Sequence, residues 1–225
     1  MNPAGMDRAR MNREEYLRRW SALHGDASTT GPVRFWLGVS HAAAAPLARV
    51  GVRPNAVTIV GLLVSLLVVP LAMLGGRWVL LAVPVVVVSG LVDSVDGAVA
   101  VMTGRTTRWG FVLDSVCDRL ADSAYVVALW ALGAPGWLCV VGGGLAGLHE
   151  YTRARAVAGG MSQIGVVTVS ERPTRVIVTT MFLLGAGLYV AAAPKWATAG
   201  AAAWATLGLI GLVQLLVVVR RRLTG

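Results

Sequence analysis

Five of the eleven acidic residues in this chain, Asp93, Asp96, Asp114, Asp118 and Asp122, fall inside segments otherwise apolar enough to cross a membrane. A carboxylate in a membrane segment costs roughly 2.5–3.5 kcal/mol on insertion scales, so such residues persist where they have a task. Their spacing narrows that task. Asp93 and Asp96 stand three apart, and Asp114, Asp118 and Asp122 follow at intervals of four, so each set shares one face of a helix. Two such helices facing each other put four or five carboxylates around one point, where unpaired charges would repel. The pattern therefore calls for something cationic among them.

The rest of the chain sets those helices in a bilayer. Charged residues make up 14% of the sequence, against about 25% in a soluble domain. Several apolar runs approach the roughly 20 residues that span a membrane. We expect an all-α integral membrane protein with six spans at about 55–74, 78–102, 108–132, 136–158, 173–192 and 197–219. Pro54 suits a helix start. Gly75-Gly76, the stretch Gly133 to Gly136, and Pro194 mark tight turns, and Pro84 is expected to kink the second span. A polar cytoplasmic segment, residues 1–31, comes first. In it and the residues after it no early apolar core suggests a cleavable signal peptide. Residues 32–225 read as a single membrane domain that opens with an interfacial amphipathic helix at about 32–52. That helix mixes Phe35, Trp36 and Leu37 with Arg34, His41 and Arg49. A cytoplasmic helix packed on the protein is the alternative.

The net charge of +9 is distributed by topology. Arg8, Arg10, Arg13, Arg18, Arg19, Arg34, Arg49 and Arg53 precede the first span, and Arg220, Arg221 and Arg222 follow the last. Arg105, Arg108, Arg153, Arg155, Arg172 and Arg175 flank two internal connections, whereas only Arg77 and Lys195 fall in the alternate ones. The positive-inside rule then puts both termini in the cytoplasm. Contact with anionic lipid headgroups accounts for the remaining basicity, and with no recognition motif the chain is not read as binding nucleic acid. Cys117 and Cys139 lie in apolar helical stretches and lack the spacing of a metal or redox pair, and Cys117, beside the acidic cluster, reads as a small buried hydrophobe.

In this topology Asp93 and Asp96 lie near the cytoplasmic end of the second span, and Asp114 and Asp118 near the same end of the third. That is headgroup depth. Gly97 and Gly110 remove side chains beside the carboxylates and let a polar ligand approach the backbone. Oxygen ligands without histidine or thiolate favour Mg²⁺, Mn²⁺ or Ca²⁺. Four carboxylates suit two such ions, which could clamp a diphosphate. The plainer alternative pairs the carboxylates with Arg105, Arg108 or Arg119. A cation-binding transporter is the rival from another class, but its site would lie nearer the midplane, and no sequence repeat or polar outer vestibule is visible. Gly143-x-x-x-Gly147 permits close helix approach, within the bundle or between protomers.

Asp93-x2-Asp96-Gly97-x2-Ala100, followed by Gly110-x3-Asp114-x3-Asp118, closely resembles the signature of the CDP-alcohol phosphotransferases. In that family an arginine follows the alanine, where this chain has Val101. The resemblance implies transfer of a phosphatidyl group from CDP-diacylglycerol to an acceptor hydroxyl, with release of CMP. It implies that Asp93, Asp96, Asp114 and Asp118 hold two Mg²⁺ or Mn²⁺ ions, with Asp118 also the general base. Gly97 and Ala100 would leave room for cytidine, and Arg105 or Arg108 would stand in for the missing arginine. Pro54-Asn55-x2-Thr58 resembles another recurrent element of the family, placing Asn55 and Thr58 on the nucleotide side; helix capping by Asn55 is its plainer explanation. A homodimer in a bacterial plasma membrane, with its active site on the cytoplasmic face, is the family expectation.

Acceptor choice falls outside the signature. Glu150-Tyr-Thr-Arg153-Ala-Arg155 closes the fourth span and Ser170-Glu-Arg172-Pro-Thr-Arg175 opens the fifth. Arginines suit a phosphorylated acceptor because guanidinium binds phosphate through two hydrogen bonds. These stretches resemble those of actinobacterial phosphatidylinositol-phosphate synthases, which implies inositol 1-phosphate as acceptor; glycerol 3-phosphate and phosphatidylglycerol are the alternatives. His149 reads as a satisfied histidine near a helix end, and Asp122 as a structural partner of Arg119 or a neighbouring arginine.

Overall fold

The computed structural model of the protein describes residues 11–23, 28–161 and 167–224. Arg8 and Arg10, counted above in the cytoplasmic basic set, lie outside the described residues, as do positions 162–166 of the connection before the fifth span. The regular elements among the described residues are all helical. They are α1 (Arg13–Leu23), α2 (Gly31–Arg49), α3 (Pro54–Leu66), α4 (Val68–Leu74), α5 (Val79–Thr103), α6 (Arg108–Ala131), α7 (Gly136–Ala158), α8 (Arg172–Leu188) and α9 (Ala193–Thr224). Short 3-10 turns at Gly76–Trp78 and Val190–Ala192 lead into α5 and α9.

Local chemistry sets the boundaries that matter for the site. Pro70 has no N–H to give the Leu66 carbonyl, and the helix breaks there, between α3 and α4. At the end of α5, Gly104 adopts φ +65°, and the Arg105 N–H reaches back to the Ala100 carbonyl at 3.0 Å. This is a glycine-terminated helix end that satisfies orphan carbonyls. The Thr107 hydroxyl accepts the Gly110 N–H at 2.9 Å and so caps the start of α6. Pro84 falls within α5, which runs on through it.

Among the described residues, three stretches are long and apolar enough to cross a membrane: Pro54–Leu74, Gly76–Thr103 and Val190–Leu223. They make this a membrane protein. Large apolar side chains stay exposed on them, among them Leu63, Met73, Leu81 and Leu209, as expected of helices that are apolar all round. The exposed indoles of Trp78 and Trp137 lie at helix starts and that of Trp130 at a helix end, the habit of interfacial anchors. Helices also occupy the other three expected spans, but α6, α7 and α8 carry the charges of the candidate site and are the less apolar for it.

The chain divides into two compact units, one of residues up to Leu63 with Ser89–Asp118, the other of Val64–Val88 with Arg119 onward. In the first, α1 packs on α2, and Leu37, Ala44 and Ala48 of α2 join Val57 and the buried face of α5 in one apolar cluster. The Trp36 indole donates to Ser94 Oγ at 2.8 Å, tying α2 to the helix that carries Asp93 and Asp96. Tyr16 of α1 is fully buried beside His41, and that burial pushes its phenol up to about 12.

The core of the second unit forms around α9, which packs on α7 and α8. Glycines bring the backbones together. A Cβ on Gly142 would sit 3.1 Å from Trp204 Cβ, and one on Gly208 would sit 2.9 Å from Leu145 Cβ. The buried Trp204 indole donates to Thr179 Oγ1 at 3.1 Å.

Candidate active site

The first unit carries the acidic centre. Asp93 of α5 and Asp114 and Asp118 of α6 each bring a carboxylate oxygen to within 4.8 Å of the others, and all three are half-buried. Asp96 is held apart in environment. It is 6% exposed and accepts the Thr58 hydroxyl at 2.5 Å. Thr58 Oγ1 also lies 3.2 Å from the Pro54 carbonyl, but its single proton goes to the nearer carboxyl oxygen of Asp96. Thr58, expected on the nucleotide side, is thus hydrogen-bonded to one of the four signature aspartates. Their separation by 38 residues left no local signal for this pair.

Three convergent carboxylates form an oxygen-only donor set, which fits a hard divalent cation. The glycines beside it behave differently. A Cβ on Gly97 would meet nothing within 4 Å, so the space beside Asp96 is open. A Cβ on Gly110 would lie 3.0 Å from Thr107 Oγ1 and 3.1 Å from Asn55 Oδ1. Glycine at 110 therefore allows the Asn55 amide to approach the start of α6. Ala100 is half-buried. Val101, at the position of the family arginine, is buried in the apolar cluster with Val57 and Met102. Arg105, one turn further on, is exposed and donates to the Gly51 carbonyl at 3.3 Å. Arg108 is exposed as well.

The second unit holds a separate ionic network. Asp122 is buried between Arg119, at 3.3 Å, and Arg175, at 3.2 Å. Glu150 lies 3.6 Å from Arg119 and 3.8 Å from both Arg153 and Arg175. Arg153 grips Glu171 with both terminal nitrogens, at 2.6 and 3.2 Å. Arg175 also donates to the Ser170 carbonyl. Burial alone would raise the Glu171 carboxyl, but the Arg153 guanidinium and the N–H and hydroxyl of Thr168 hold it below the usual range. Of the arginines expected together, the structure brings Arg153 and Arg175 into this network. Arg172 is half-buried beside Glu171, and Arg155 is exposed. The network adds Arg119, Asp122, Glu150 and Glu171. One sequence signal points to the last two: they are the only acidic residues after Asp122, and each lies within four residues of an arginine.

An aspartate centre with the signature spacing, on helices of a membrane protein, defines a class, and comparison with known proteins agrees. The chain belongs to the CDP-alcohol phosphatidyltransferase family, whose model matches residues 52–219. It is therefore a phospholipid-synthesising enzyme. Among its relatives, the archaetidylinositol phosphate synthase of Pyrococcus horikoshii is 32% identical over 159 residues, 68% of this chain and 82% of that one. The phosphatidylinositol phosphate synthase of Cutibacterium acnes is 32% identical over 197 residues, 83% of this chain and 94% of that one. Crystal structures of the Mycobacterium tuberculosis phosphatidylinositol phosphate synthase superpose with a TM-score of 0.64 at 30% identity. The structure with CDP-DAG bound covers 80% of this chain and 92% of that one. The structure with manganese and citrate likewise has a TM-score of 0.64.

Proposed function

We propose that this protein is a phosphatidylinositol phosphate synthase, transferring the phosphatidyl group of CDP-diacylglycerol to a hydroxyl of inositol 1-phosphate. The observation that carries the reading is the convergence of Asp93, Asp114 and Asp118 within 4.8 Å in a chain of this family. Asp93, Asp96, Asp114 and Asp118 are the ligands for two divalent ions, Mg²⁺ or Mn²⁺; the manganese-bound relative supports this. Bound there, the ions neutralise the diphosphate of the donor and stabilise the leaving phosphate. Asp118 takes the proton of the acceptor hydroxyl. The new oxygen–phosphorus bond forms as the bond to CMP breaks, and CMP leaves with the electron pair. Gly97 and Ala100 leave room for the cytidine, beside which Asn55 and Gly110 approach each other. Thr58 acts here by orienting Asp96. Arg105 and Arg108 take over the diphosphate contact that Val101 cannot make.

Arg153, Arg155, Arg172 and Arg175 form the acceptor side, where guanidinium forks suit the phosphate of the incoming alcohol. The expected topology has six spans, both termini in the cytoplasm, α2 in the interface and the active site on the cytoplasmic face of a bacterial plasma membrane. The protein works as a homodimer through the open small-residue face of α7.

The test is CMP release by purified protein with CDP-diacylglycerol and Mn²⁺ or Mg²⁺, offering inositol 1-phosphate, glycerol 3-phosphate, inositol, serine and phosphatidylglycerol in turn. Turnover is expected with inositol 1-phosphate and is lost in Asp93→Asn. No CMP with any acceptor, together with metal binding by Asp93→Asn equal to that of the wild type, would overturn the proposal. Arg105→Ala and Arg108→Ala are expected to weaken donor binding; if neither does, these residues do not replace the family arginine.

A further inference from the structure

The ionic network of the second unit is tied to one imidazole that the reaction does not use. His149, on α7, is 0% exposed, and its Nε2 lies 2.9 Å from Thr168 Oγ1. The hydrogen bonds around Thr168 favour one direction for this contact. A hydroxyl offers one proton and two lone pairs, and a carboxylate only accepts. Thr168 Oγ1 is 3.0 Å from Glu171 Oε1, so its proton goes there. Its lone pairs are left for the Ser170 N–H at 3.3 Å and for His149 Nε2, which in this arrangement donates, while His149 Nδ1 lies 3.5 Å from Glu150 Oε1.

The chain of contacts runs on to the acceptor side. Glu171 Oε1 also receives the Thr168 N–H at 2.9 Å and Arg153 Nη2 at 2.6 Å, while Oε2 receives Arg153 Nη1. The turn that carries Thr168 is pinned independently. The Val169 N–H donates to Gln214 Oε1 at 3.1 Å, and a Cβ on Gly211 would lie 2.5 Å from Ser170 Cβ. The Glu171 carboxylate is thus fixed from the His149–Thr168 side and in turn fixes both arms of the Arg153 fork.

We propose that His149 is a positioning residue for the acceptor: acting through Thr168 and Glu171, it sets the direction of the Arg153 guanidinium and so the affinity for the acceptor's phosphate, leaving the donor side untouched. This rests on the acceptor assignment proposed above. The test is steady-state kinetics of the full-length wild type, His149→Ala, His149→Gln and Thr168→Val, varying inositol 1-phosphate and CDP-diacylglycerol separately. His149→Ala and Thr168→Val should raise KM for inositol 1-phosphate roughly tenfold, the scale of one lost hydrogen bond in a charged network, with kcat and donor KM within about twofold of wild type. His149→Gln, whose amide nitrogen can donate where Nε2 does, should restore most of the affinity.

Unchanged acceptor KM in both His149→Ala and Thr168→Val would overturn the proposal, as would glutamine serving no better than alanine. If His149→Ala does not fold, the near-isosteric Thr168→Val decides by the same split. Wild-type turnover of a different phosphorylated alcohol would refute inositol 1-phosphate as the acceptor while the split is still read on that alcohol. Turnover of an unphosphorylated acceptor alone would overturn both.

Discussion

At Asp96 a buried carboxylate accepts the hydroxyl of a residue from another helix. Thr58→Val leaves the size of the side chain nearly unchanged but removes the 2.5 Å hydrogen bond. A buried polar group deprived of a hydrogen-bond partner loses about 1–3 kcal/mol of stabilisation, and here also a constraint on its orientation. Mn²⁺ titration of Thr58→Val should show weaker binding and CMP release should fall roughly tenfold, while Thr58→Ser stays near wild type. Metal affinity unchanged in the valine variant would mean that the hydroxyl does not orient Asp96.

Glu171 makes a prediction in pH. Its folded carboxyl is held below the ordinary glutamate value of 4.5, chiefly by the Arg153 guanidinium. A depressed carboxyl contributes stability that is fully present above its unfolded value and is lost as pH falls through its folded value. The thermal stability of the wild type should therefore decline as pH drops below 4.5 more than that of Glu171→Gln, which lacks the titrating group. Parallel declines would assign the acid sensitivity to other groups. These two residues also mark how far the sequence could be read. The aspartate signature was legible because helical periodicity turns spacings of three and four into shared faces. The partnerships of Thr58 with Asp96 and Arg153 with Glu171 were not, because 38 and 18 residues separate the partners and only tertiary packing joins them.

Helix boundaries were legible where a residue type forces them, at Pro54 and at the Gly75-Gly76 turn. The break at Leu67 went unforeseen, because Pro70 acts on the carbonyl four residues earlier within an unbroken apolar run. Helix contacts were less legible still, since glycines along α7 look alike in sequence. A Cβ on Gly142 meets Trp204 and the Ala205 backbone, whereas one on Gly144 or Gly147 meets nothing within 4 Å among the described residues. Gly208→Ala, forced against Leu145, should therefore destabilise the α7–α9 contact by about 1–3 kcal/mol, read as a fall in melting temperature. Gly144→Ala should leave it unchanged or raised by up to about 1 kcal/mol from helix propensity. Equal effects at the two positions would show that α7 does not present two distinct glycine faces.

That second face bears on the whole molecule. Gly144 and Gly147 line a cavity of about 600 Å³ between α6 and α7, together with Val126, Trp130, Val140 and Gly143. Trp130, Trp137 and Val140 stand 59%, 70% and 75% exposed along it or beside it. In a bilayer, exposed apolar side chains alone need no partner, because lipid solvates them. A strip of glycines is different, since it offers lipid little to pack against but allows a second helix to approach closely. In a two-fold dimer the same strip would meet its own copy. A Cβ at 144 or 147 meets no described atom within 4 Å, so Gly144→Leu and Gly147→Leu should be tolerated by the backbone, and a melting temperature near wild type would assign any change in assembly to contacts between molecules. Light scattering on the detergent-solubilised protein should find the wild type dimeric and both variants shifted towards monomer. A wild type already monomeric, or leucine variants that stay dimeric, would show that two copies do not meet at this strip and that lipid lines it.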